Sequence, residues 1–364
     1  MDYTKNAEFI EIDGGYLEGG GQAVRNALSL SCILKRPVRI INIRANRPNP
    51  GLSHQHVHGV NLLRNITKAR VTGNHMHSTV VEFTPQTLIS DTYKVDTRTA
   101  ASITLIYQVA LPVLLFGNKP SRLDVIGGTN VSFAPQIEYM QHVVEPNLKH
   151  FGISFELKVL QYGFYPRGNG RSVLDIEPLS SLKSVQLTDF GRLKSVVGWS
   201  YCSGRLPKSI SLDMQQTAQR EMHRLWPENE CNIQAFKLSP EKARDNGAGI
   251  VLSASTSSGC VVGAAALGDK NIDGHVLGSD ASCELASYIK SEVCIDGHLQ
   301  DQLIIYMALA SGRSIIKTSA VTKHTRTAMY VAETMTGVKF ETTYDESGQA
   351  LISCDGIGHS SSFM

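Results

Sequence analysis

The amino-acid sequence predicts an α/β (α+β) protein in which three β-α-β-α-β-β repeats form one main domain, with a small α/β domain inserted into it. Strand-like and helix-like segments alternate along the chain, and one order of breaker, strand, loop and helix recurs. Residues 187–291 depart from that order. We therefore expect repeats one and two over 1–186, the inserted domain over 187–291 and repeat three over 292–364.

The first repeat begins with a short apolar strand and a glycine-rich loop. The helix after the loop carries apolar residues at helical spacing and ends before Arg36-Pro37. A second strand, a loop rich in proline and asparagine, and a helix capped by Ser53 follow, and a hairpin closes the repeat. The predicted strands cover 9–12, 38–43 and 79–83, and the loop covers 44–51.

The second and third repeats follow the same order. We expect the third repeat to start near Leu299. We also expect Ser311-Gly312 to interrupt the regular structure between its first helix and its first strand. In repeat two the helices cover 100–115 and 134–150, and the strands cover 122–126, 154–160 and 171–176. In repeat three the helices cover 299–309 and 322–336, and the strands cover 314–318, 338–343 and 350–354. In the inserted domain the strands cover 196–201, 249–254 and 260–266, and the helices cover 211–225 and 281–289.

Composition limits the class of protein. With 364 residues, 42% of them hydrophobic, the chain can bury a large core without disulfides or metals. Seven cysteines, odd in number and without a C-x-x-C pair, favour a reducing compartment. Residues 1–8 lack the apolar region of a secretion signal, and no 18-residue apolar run occurs. We therefore expect a protein that is neither secreted nor membrane-spanning.

The glycine-rich loop Glu18-Gly-Gly-Gly-Gln22-x-x-Arg25 is the strongest local signal. Its glycines let a ligand approach bare backbone N–H groups, and the next helix turns its positive end toward the same place. The net charge is only +2, yet the chain carries no acidic residue between Glu18 and Glu82. Nine basic residues lie in that interval: Arg25, Lys35, Arg36, Arg39, Arg44, Arg47, Arg64, Lys68 and Arg70. This pattern predicts a binding site for a polyanion.

Five motifs in order resemble the RNA 3'-terminal phosphate cyclase family, over nearly the whole chain. They are the glycine-rich loop; Ile43-Arg44-Ala45-x-Arg47 with Pro50-Gly51-Leu52-x-x-Gln55-His56; Gly127-Gly128-Thr129-Asn130 before Ala134-Pro135; Tyr165-Pro166-x-Gly168-x-Gly170; and Leu299-x-Asp301-Gln302-Leu303 before Met307-Ala308-Leu309-Ala310. The resemblance implies a catalytic domain of three repeats with an inserted domain. It also implies that ATP and Mg²⁺ or Mn²⁺ are used to convert an RNA 3'-phosphate into a 2',3'-cyclic phosphate, releasing AMP and pyrophosphate.

By this resemblance, the nucleophile that accepts AMP is a histidine of the last repeat, which corresponds to His324. The helical pattern places His324 in the first turn of a helix, on one face with Ala328, Val331 and Met335. We therefore expect its side chain to point inward. The positive end of the helix would also favour a phosphate beside it.

The resemblance assigns the other site residues position by position. Glu18 would help to hold the metal. Arg25, Arg44 and Arg47 would neutralise the triphosphate or the RNA phosphate. Gln22 belongs to the glycine-loop motif of the nucleotide site, Gln55, His56 and Gln108 would line the pocket, and Pro135, Asp301 and Gln302 would border the adenosine. His298 stands where family members usually carry a tyrosine that stacks on the adenine, and we expect a neutral imidazole there.

Other functions fit the sequence less well than the cyclase activity does. Cyclase-like proteins of ribosome assembly resemble this family but lack the nucleophile, so the alternative is an inactive RNA-binding protein. Enolpyruvate transferases built from related repeats carry six units, whereas this chain has three. A zinc site at His54-x-His56-x-His58 is disfavoured because a spacing of two points side chains to different faces of a helix. No dinucleotide fingerprint or P-loop occurs.

The expected partner is RNA with a 3'-phosphate end, with no membrane and no obligate protein partner. The family resemblance suggests a nuclear protein, although composition does not separate nucleus from cytosol.

Overall fold

The computed structural model describes residues 8–269 and 273–361, and within them it contains four four-stranded sheets joined by helices. The predicted α/β class is confirmed. Residues 1–7, which belong to the segment where the sequence predicts no secretion signal, lie outside the described residues, as do residues 270–272 and 362–364. Within the described ranges, no helix is long and apolar enough to cross a membrane.

The first unit forms a sheet of strand order β1-β2-β4-β3. Strands β1 and β2 are parallel, and the β3–β4 hairpin adds antiparallel strands beside β2. Its elements are β1 (Ile10–Asp13), α1 (Gly21–Leu34), β2 (Val38–Ile41), α2 (His54–Thr67), β3 (Arg70–Thr72) and β4 (Val81–Thr84).

The second unit repeats this topology as β5-β6-β8-β7. Its elements are β5 (Thr92–Asp96), α3 (Ile103–Leu114), β6 (Ser121–Gly127), α4 (Ile137–Tyr139), a π-helical turn (Met140–Val144), α5 (Glu145–His150), β7 (Phe155–Gln161) and β8 (Gly170–Ile176). The π-turn has a physical cause: Pro146 has no N–H to bond the carbonyl of His142, and the hydroxyl of Ser253 donates to that carbonyl instead, at 3.0 Å.

The remaining elements follow in chain order. They are β9 (Gln186–Leu187), β10 (Leu193–Ser203), α6 (Ser209–Leu225), β11 (Glu230–Lys237), β12 (Gly247–Thr256), β13 (Val261–Leu267), α7 (Gly274–Lys290), α8 (Gln300–Leu309), β14 (Ser311–Thr318), α9 (Lys323–Thr336), β15 (Phe340–Tyr344) and β16 (Ala350–Ile357). Strands β10 to β13 form the sheet β11-β10-β12-β13, and the last sheet has the order β15-β16-β14-β9.

The last sheet corrects the expected start of the third repeat. Strand β9 pairs in parallel with β14, so this sheet takes one strand from residues 186–187 and its other strands from after residue 310. The sequence pattern missed β9 because two residues are too short for a periodic signal. The assignment of 1–186, 187–291 and 292–364 to separate domains stays a prediction.

Three local expectations were wrong. Ser311-Gly312 forms the first two residues of β14 instead of a turn between helix and strand. Gly312 has φ +92°, a value that glycine tolerates. Strand β11 was missed because it is an edge strand with one buried residue, Ile233. Helix α7 starts well before residue 281: Asp273 caps it, and Gly278 packs where a Cβ would meet the backbone of Met214.

Helices from different units pack together in one continuous core. Helix α1 packs against α2, α3 and α9, and α8 packs against α9 and α3. This arrangement brings α1, α3, α8 and α9 side by side, and the start of α1 comes to lie beside the start of α9.

Candidate active site

The glycine-rich loop before α1 meets the first turn of α9. The Glu18 carboxylate bridges the two, since its Oε2 lies 3.3 Å from a guanidinium nitrogen of Arg47 and 3.2 Å from Nε2 of His324. The loop, the arginine-rich segment and His324 therefore form one cluster, although His324 is remote from the others in sequence.

Bare backbone lies at the centre of this cluster. A Cβ built on Gly20 would lie 3.6 Å from the Arg47 guanidinium and 3.7 Å from the His324 ring, and Gly20 is the residue that precedes the first turn of α1. Gly19 has φ +59°, a conformation that glycine adopts without strain. The loop thus presents backbone amides at a helix start, between an arginine and a histidine, where an anion would be favoured.

The side chain of His324 is half exposed, so the expectation that it points inward was wrong. Ala328, Val331 and Met335 are buried as predicted. His324 lies one turn before Ala328, but Thr325 occupies the buried position in this first turn, and the ring of His324 turns toward Glu18 instead. This exposure leaves the imidazole accessible to a substrate.

Gln300 fixes the start of α9 and was missed from the sequence. Its side-chain oxygen accepts hydrogen bonds from the backbone N–H of Thr322 (3.1 Å) and the hydroxyl of Thr325 (2.8 Å), and Gln300 is fully buried. It occupies the variable position of the motif Leu299-x-Asp301-Gln302, so the motif itself gave no signal. We infer that Gln300 orients the helix turn that carries His324.

Gln22 and Arg25, one turn apart on α1, both face Asp301 at the start of α8. The amide of Gln22 donates to the Asp301 carboxylate, while its own Oε1 is buried and has no hydrogen-bond partner among the residues that the structure describes. Burial lowers the pKa of Arg25 to about 10, although the charge of Asp301 opposes this shift. Burial also raises the pKa of Asp301, against the charges of His324 and Arg25. These groups are held at close range with incomplete polar pairing, as expected of a site that accepts a ligand.

The side chain of His56 packs against the glycine-rich loop at Gly21. Its Nδ1 accepts from the backbone N–H of Ser53 at 3.1 Å, so the neutral ring carries its proton on Nε2. That Nε2 is buried and aimed at Gly21, and within residues 8–269 and 273–361 it has no hydrogen-bond partner. Burial and the nearby charges of Arg25 and Arg44 lower the pKa of His56 to about 3, so the ring stays neutral.

The arginine-rich loop turns two guanidinium groups toward this region. Arg44 donates to the carbonyl of Gly51 at 2.9 Å, and burial, together with the charge of Arg47, lowers its pKa. Gln55 is half buried beside Arg25 and His56, in a small cavity between α1, α2 and α3. Arg44, Arg47, Gln55 and His56 are thus all brought to the start of α1.

A chain of amides connects α3 to α8. The Gln108 side chain donates to Gln302 at 2.9 Å, and Gln302 donates to the carbonyl of His298 at 2.8 Å. The Pro135 carbonyl accepts from the hydroxyl of Thr104 at 2.8 Å, which places Pro135 at the start of α3. No described contact joins Pro135 directly to Asp301, Gln302 or His298.

His298 forms an ion pair that the sequence did not suggest. Its Nε2 lies 2.8 Å from the carboxylate of Glu284, at the end of the inserted segment. The hydrogen bond that His298 donates to the Glu284 carboxylate raises the pKa of His298 to about 9, although burial acts in the opposite direction. The expectation of a neutral imidazole was therefore wrong, because its carboxylate partner comes from a distant helix.

Glu18 is the one predicted metal ligand. Among the described residues, no group of three or more His, Cys, Asp or Glu side chains could hold a metal by itself. Both described contacts of Glu18 use Oε2, which leaves Oε1 available for a metal within the described part of the chain. Mg²⁺ is often bound through one or two carboxylates together with substrate phosphates and water, and Glu18 fits that mode of binding.

Comparisons with known proteins point to one family. A family model described as RNA 3'-terminal phosphate cyclase matches residues 16–342. The chain is 64% identical to the RNA 3'-terminal phosphate cyclase of Drosophila melanogaster, over 99% of each chain. It is 37% identical to the protein of that name from Pyrobaculum aerophilum, over 96% of this chain and 99% of the relative, and 38% identical to that of Archaeoglobus fulgidus, over 91% and 98%.

Proposed function

Because this chain belongs to the RNA 3'-terminal phosphate cyclase family, we propose that it converts an RNA 3'-terminal phosphate to a 2',3'-cyclic phosphodiester at the expense of ATP. One observation carries the proposal: Glu18 bridges Arg47 and His324 at a glycine-lined helix start. That cluster combines a nucleophile, a carboxylate and a fixed positive charge around bare backbone amides, which are the groups that nucleotidyl transfer requires.

In the proposed first step, a ring nitrogen of His324 attacks the α-phosphorus of ATP. A nitrogen–phosphorus bond forms, the bond to the bridging oxygen breaks, and pyrophosphate leaves with the bonding electrons. His324 is exposed enough to reach a phosphate, and Gln300 holds the turn that carries it. The guanidinium of Arg47 and the amides at the start of α1 would stabilise the negative charge that develops on the phosphate oxygens.

A divalent metal, Mg²⁺ or Mn²⁺, would neutralise the triphosphate charge when bound and would be held by Glu18 together with phosphate oxygens and water. Glu18 would then leave its contact with His324, which frees Nε2 of the ring. Gln22, with its unpartnered Oε1, and the Nε2–H of His56 would offer further hydrogen bonds to the nucleotide.

In the second stage, an oxygen of the RNA 3'-phosphate takes AMP from His324. The neighbouring 2'-hydroxyl then attacks the 3'-phosphorus, loses its proton and expels AMP. Activation is needed because a phosphate monoester has no good leaving group. Arg44 and Arg25 supply permanently charged donors for the terminal phosphate. Asp301, Gln302, Gln108, Gln55, Pro135 and His298 are proposed to border the nucleotide.

The alternative of an inactive, cyclase-like scaffold protein is not favoured. Such proteins lack the nucleophile, whereas His324 is present and contacts Glu18. A nuclear location and the lack of an obligate protein partner remain predictions from the family resemblance.

The test is incubation of the protein with α-³²P-labelled ATP and Mg²⁺ without RNA. We expect an acid-labile label on the wild type and none on His324→Asn. His223→Asn changes an exposed histidine of α6 and is the matched control. Normal labelling of a folded His324→Asn variant would contradict the assignment of the nucleophile. Loss of label together with retained cyclisation of a 3'-phosphorylated RNA would contradict the covalent route.

A further inference from the structure

A large open cleft lies between the β7–β8 loop and the inserted segment. Its volume is about 770 Å³. Six of its lining residues carry charge or an exposed ring, and we refer to them together as the basic cleft: Tyr165, Arg167, Arg205, Lys237, Arg244 and Asp245. None of them belongs to the site described above.

The basic cleft has a strong excess of positive charge. Its one acidic residue, Asp245, is mostly buried and is paired with Arg167 at 2.5 Å. Arg205, Lys237 and Arg244 are exposed, and within residues 8–269 and 273–361 no carboxylate lies within 4.0 Å of them. Unpaired cations around one concave surface indicate a polyanionic ligand, because they repel one another without it.

An exposed aromatic ring stands at the edge of the cleft. The Tyr165 side chain is 76% exposed, whereas the adjacent Phe164 is buried against Tyr201, with ring centroids 5.9 Å apart. The buried neighbour anchors the loop and leaves Tyr165 outside. Guanidinium groups beside an exposed ring match the chemistry of a single-stranded nucleic acid, whose phosphates and base faces need both.

The backbone connects the cleft to the candidate active site. Gly168, one residue after Arg167, packs so closely on Thr99 and Ala100 that a Cβ there would overlap the Thr99 carbonyl. Residues 97–100 also lie beside α2, where His58 contacts the backbone of Thr97. Helix α2 carries Gln55 and His56 at its start. The loop that carries Tyr165 and Arg167 therefore packs on a segment that also contacts the helix on which Gln55 and His56 lie.

We propose that the basic cleft binds the phosphodiester backbone of single-stranded RNA, upstream of the 3'-terminal phosphate that enters the active site. Arg205, Lys237 and Arg244 contact phosphates, and Tyr165 stacks on a base. This inference rests on the proposed function. An acidic peptide is the less favoured ligand, because it would make no use of the exposed ring.

The test measures how the cyclisation and binding of RNA depend on its length. Arg205→Glu/Arg244→Glu changes two exposed side chains, so folding should be retained. For a 3'-phosphorylated 20-nucleotide RNA we expect KM to rise by about tenfold to a hundredfold. The slope of the logarithm of the binding constant against the logarithm of the salt concentration should fall in magnitude by about one per lost phosphate contact. Adenylylation by ATP alone and cyclisation of a three-nucleotide RNA should be unchanged. Tyr165→Ala should weaken binding of the long RNA by about fivefold or more.

The matched control is Lys194→Glu/Arg220→Glu, which makes the same charge change on exposed residues of the inserted segment outside the cleft. Tyr344→Ala is the control for loss of an exposed ring. If the cleft and control variants have the same affinity for the long RNA, the inference is wrong. If polyglutamate displaces the long RNA from the wild type as well as unlabelled RNA does, the ligand is an acidic protein. Binding is measured directly by fluorescence anisotropy and does not depend on catalysis. If the wild type does not cyclise RNA, the proposed function is contradicted, but the binding data still show whether the basic cleft holds RNA.

Discussion

Gly21 and His56 are packed so closely that a Cβ on Gly21 would overlap Nε2 of the buried imidazole. The glycine loop therefore needs glycine here because a side chain stands in the way, and positive φ plays no part at this position. The contact also explains why the start of α1 and the start of α2 lie together.

Gly21→Ala should therefore displace His56 and disrupt the loop. We expect loss of adenylylation and a loss of stability of about 1–3 kcal/mol, since overpacking of a close contact forces side chains out of their rotamers. Urea unfolding followed by fluorescence measures the stability. For stability, Gly20→Ala is the matched control, because its Cβ would make only ordinary contacts at 3.6 and 3.7 Å. Equal stability of the two variants would show that His56 moves aside freely.

Arg44 should contribute to recognition of the RNA phosphate. Arg44→Ala is expected to weaken binding of 3'-phosphorylated RNA by about tenfold, and to affect RNA with a 3'-hydroxyl much less, because one charge-assisted contact is lost. Arg39→Ala is the control, since Arg39 is an exposed arginine of the same acid-free segment that pairs with Glu82. The measurement is anisotropy with the two RNA ends. Equal binding of both ends by the wild type would contradict this phosphate site.

The sequence predicted most helices because their apolar spacing and breakers are local. It could not predict partners that come from distant segments. The pattern of α9 indicated that His324 shares a buried face with Ala328, yet its half-exposed ring faces Glu18, which belongs to the first unit. Likewise, His298 gave no sign of its ion pair, because Glu284 belongs to another helix.

Short and polar elements were also beyond sequence patterns. Strand β9 has two residues, and β11 has one buried side chain, so neither has a measurable period. The role of Gln300 depends on where Thr322 and Thr325 lie in space. By contrast, the family motifs in the sequence predicted the residues that meet at the start of α1. A ligand-binding cluster restricts residue type as well as position, so it leaves a recognisable pattern.

Asp296 connects the inserted segment to two units of the main fold. Its buried carboxylate accepts from the hydroxyl of Tyr139 at 2.6 Å, from the backbone of Gly263 at 2.9 Å and from the backbone of His298 at 2.9 Å. Asp296→Asn would point an amide N–H at one of these donors. We expect a loss of about 2–4 kcal/mol in urea unfolding. Asp280→Asn, an exposed change in α7, is the control and should leave the midpoint unchanged.

This contact also bears on removal of the inserted segment. We expect that deleting residues 187–291 leaves some adenylylation, because every residue assigned to nucleotide chemistry lies outside that range. The deletion should nevertheless lower Tm. Asp296 loses the hydrogen bond from the backbone of Gly263, and the carbonyl of His142 loses the one from the hydroxyl of Ser253. Complete loss of adenylylation in a folded deletion variant would mean that the site extends into the inserted segment.

The ion pair of His298 with Glu284 should make stability depend on pH. Because the folded-state pKa of His298 is raised from 6.5 to about 9, its stabilising contribution is fully present below pH 6.5 and is lost as pH rises through 9. Solvent screens the half-exposed pair, so the change in Tm should be small. Thermal unfolding from pH 6 to 10 should show a decrease that Glu284→Gln lacks. Parallel curves for the two proteins would mean that the pair does not form in solution.

The same residue should influence ATP binding. Stacking of a base on an aromatic side chain contributes roughly 1–3 kcal/mol, and a phenol offers a larger face than an imidazole. His298→Tyr should therefore lower the ATP concentration needed for adenylylation by about threefold to tenfold. Since Glu284 keeps His298 protonated at neutral pH, the ATP dependence of the wild type should change near pH 9, above the ordinary range of histidine, and that of the tyrosine variant should not. Adenylylation measured against ATP concentration at pH 7 and pH 9.5 tests both points. Identical curves for the two proteins at both pH values would show that the adenine does not contact residue 298, and that another surface, such as the one beside Pro135, holds the base.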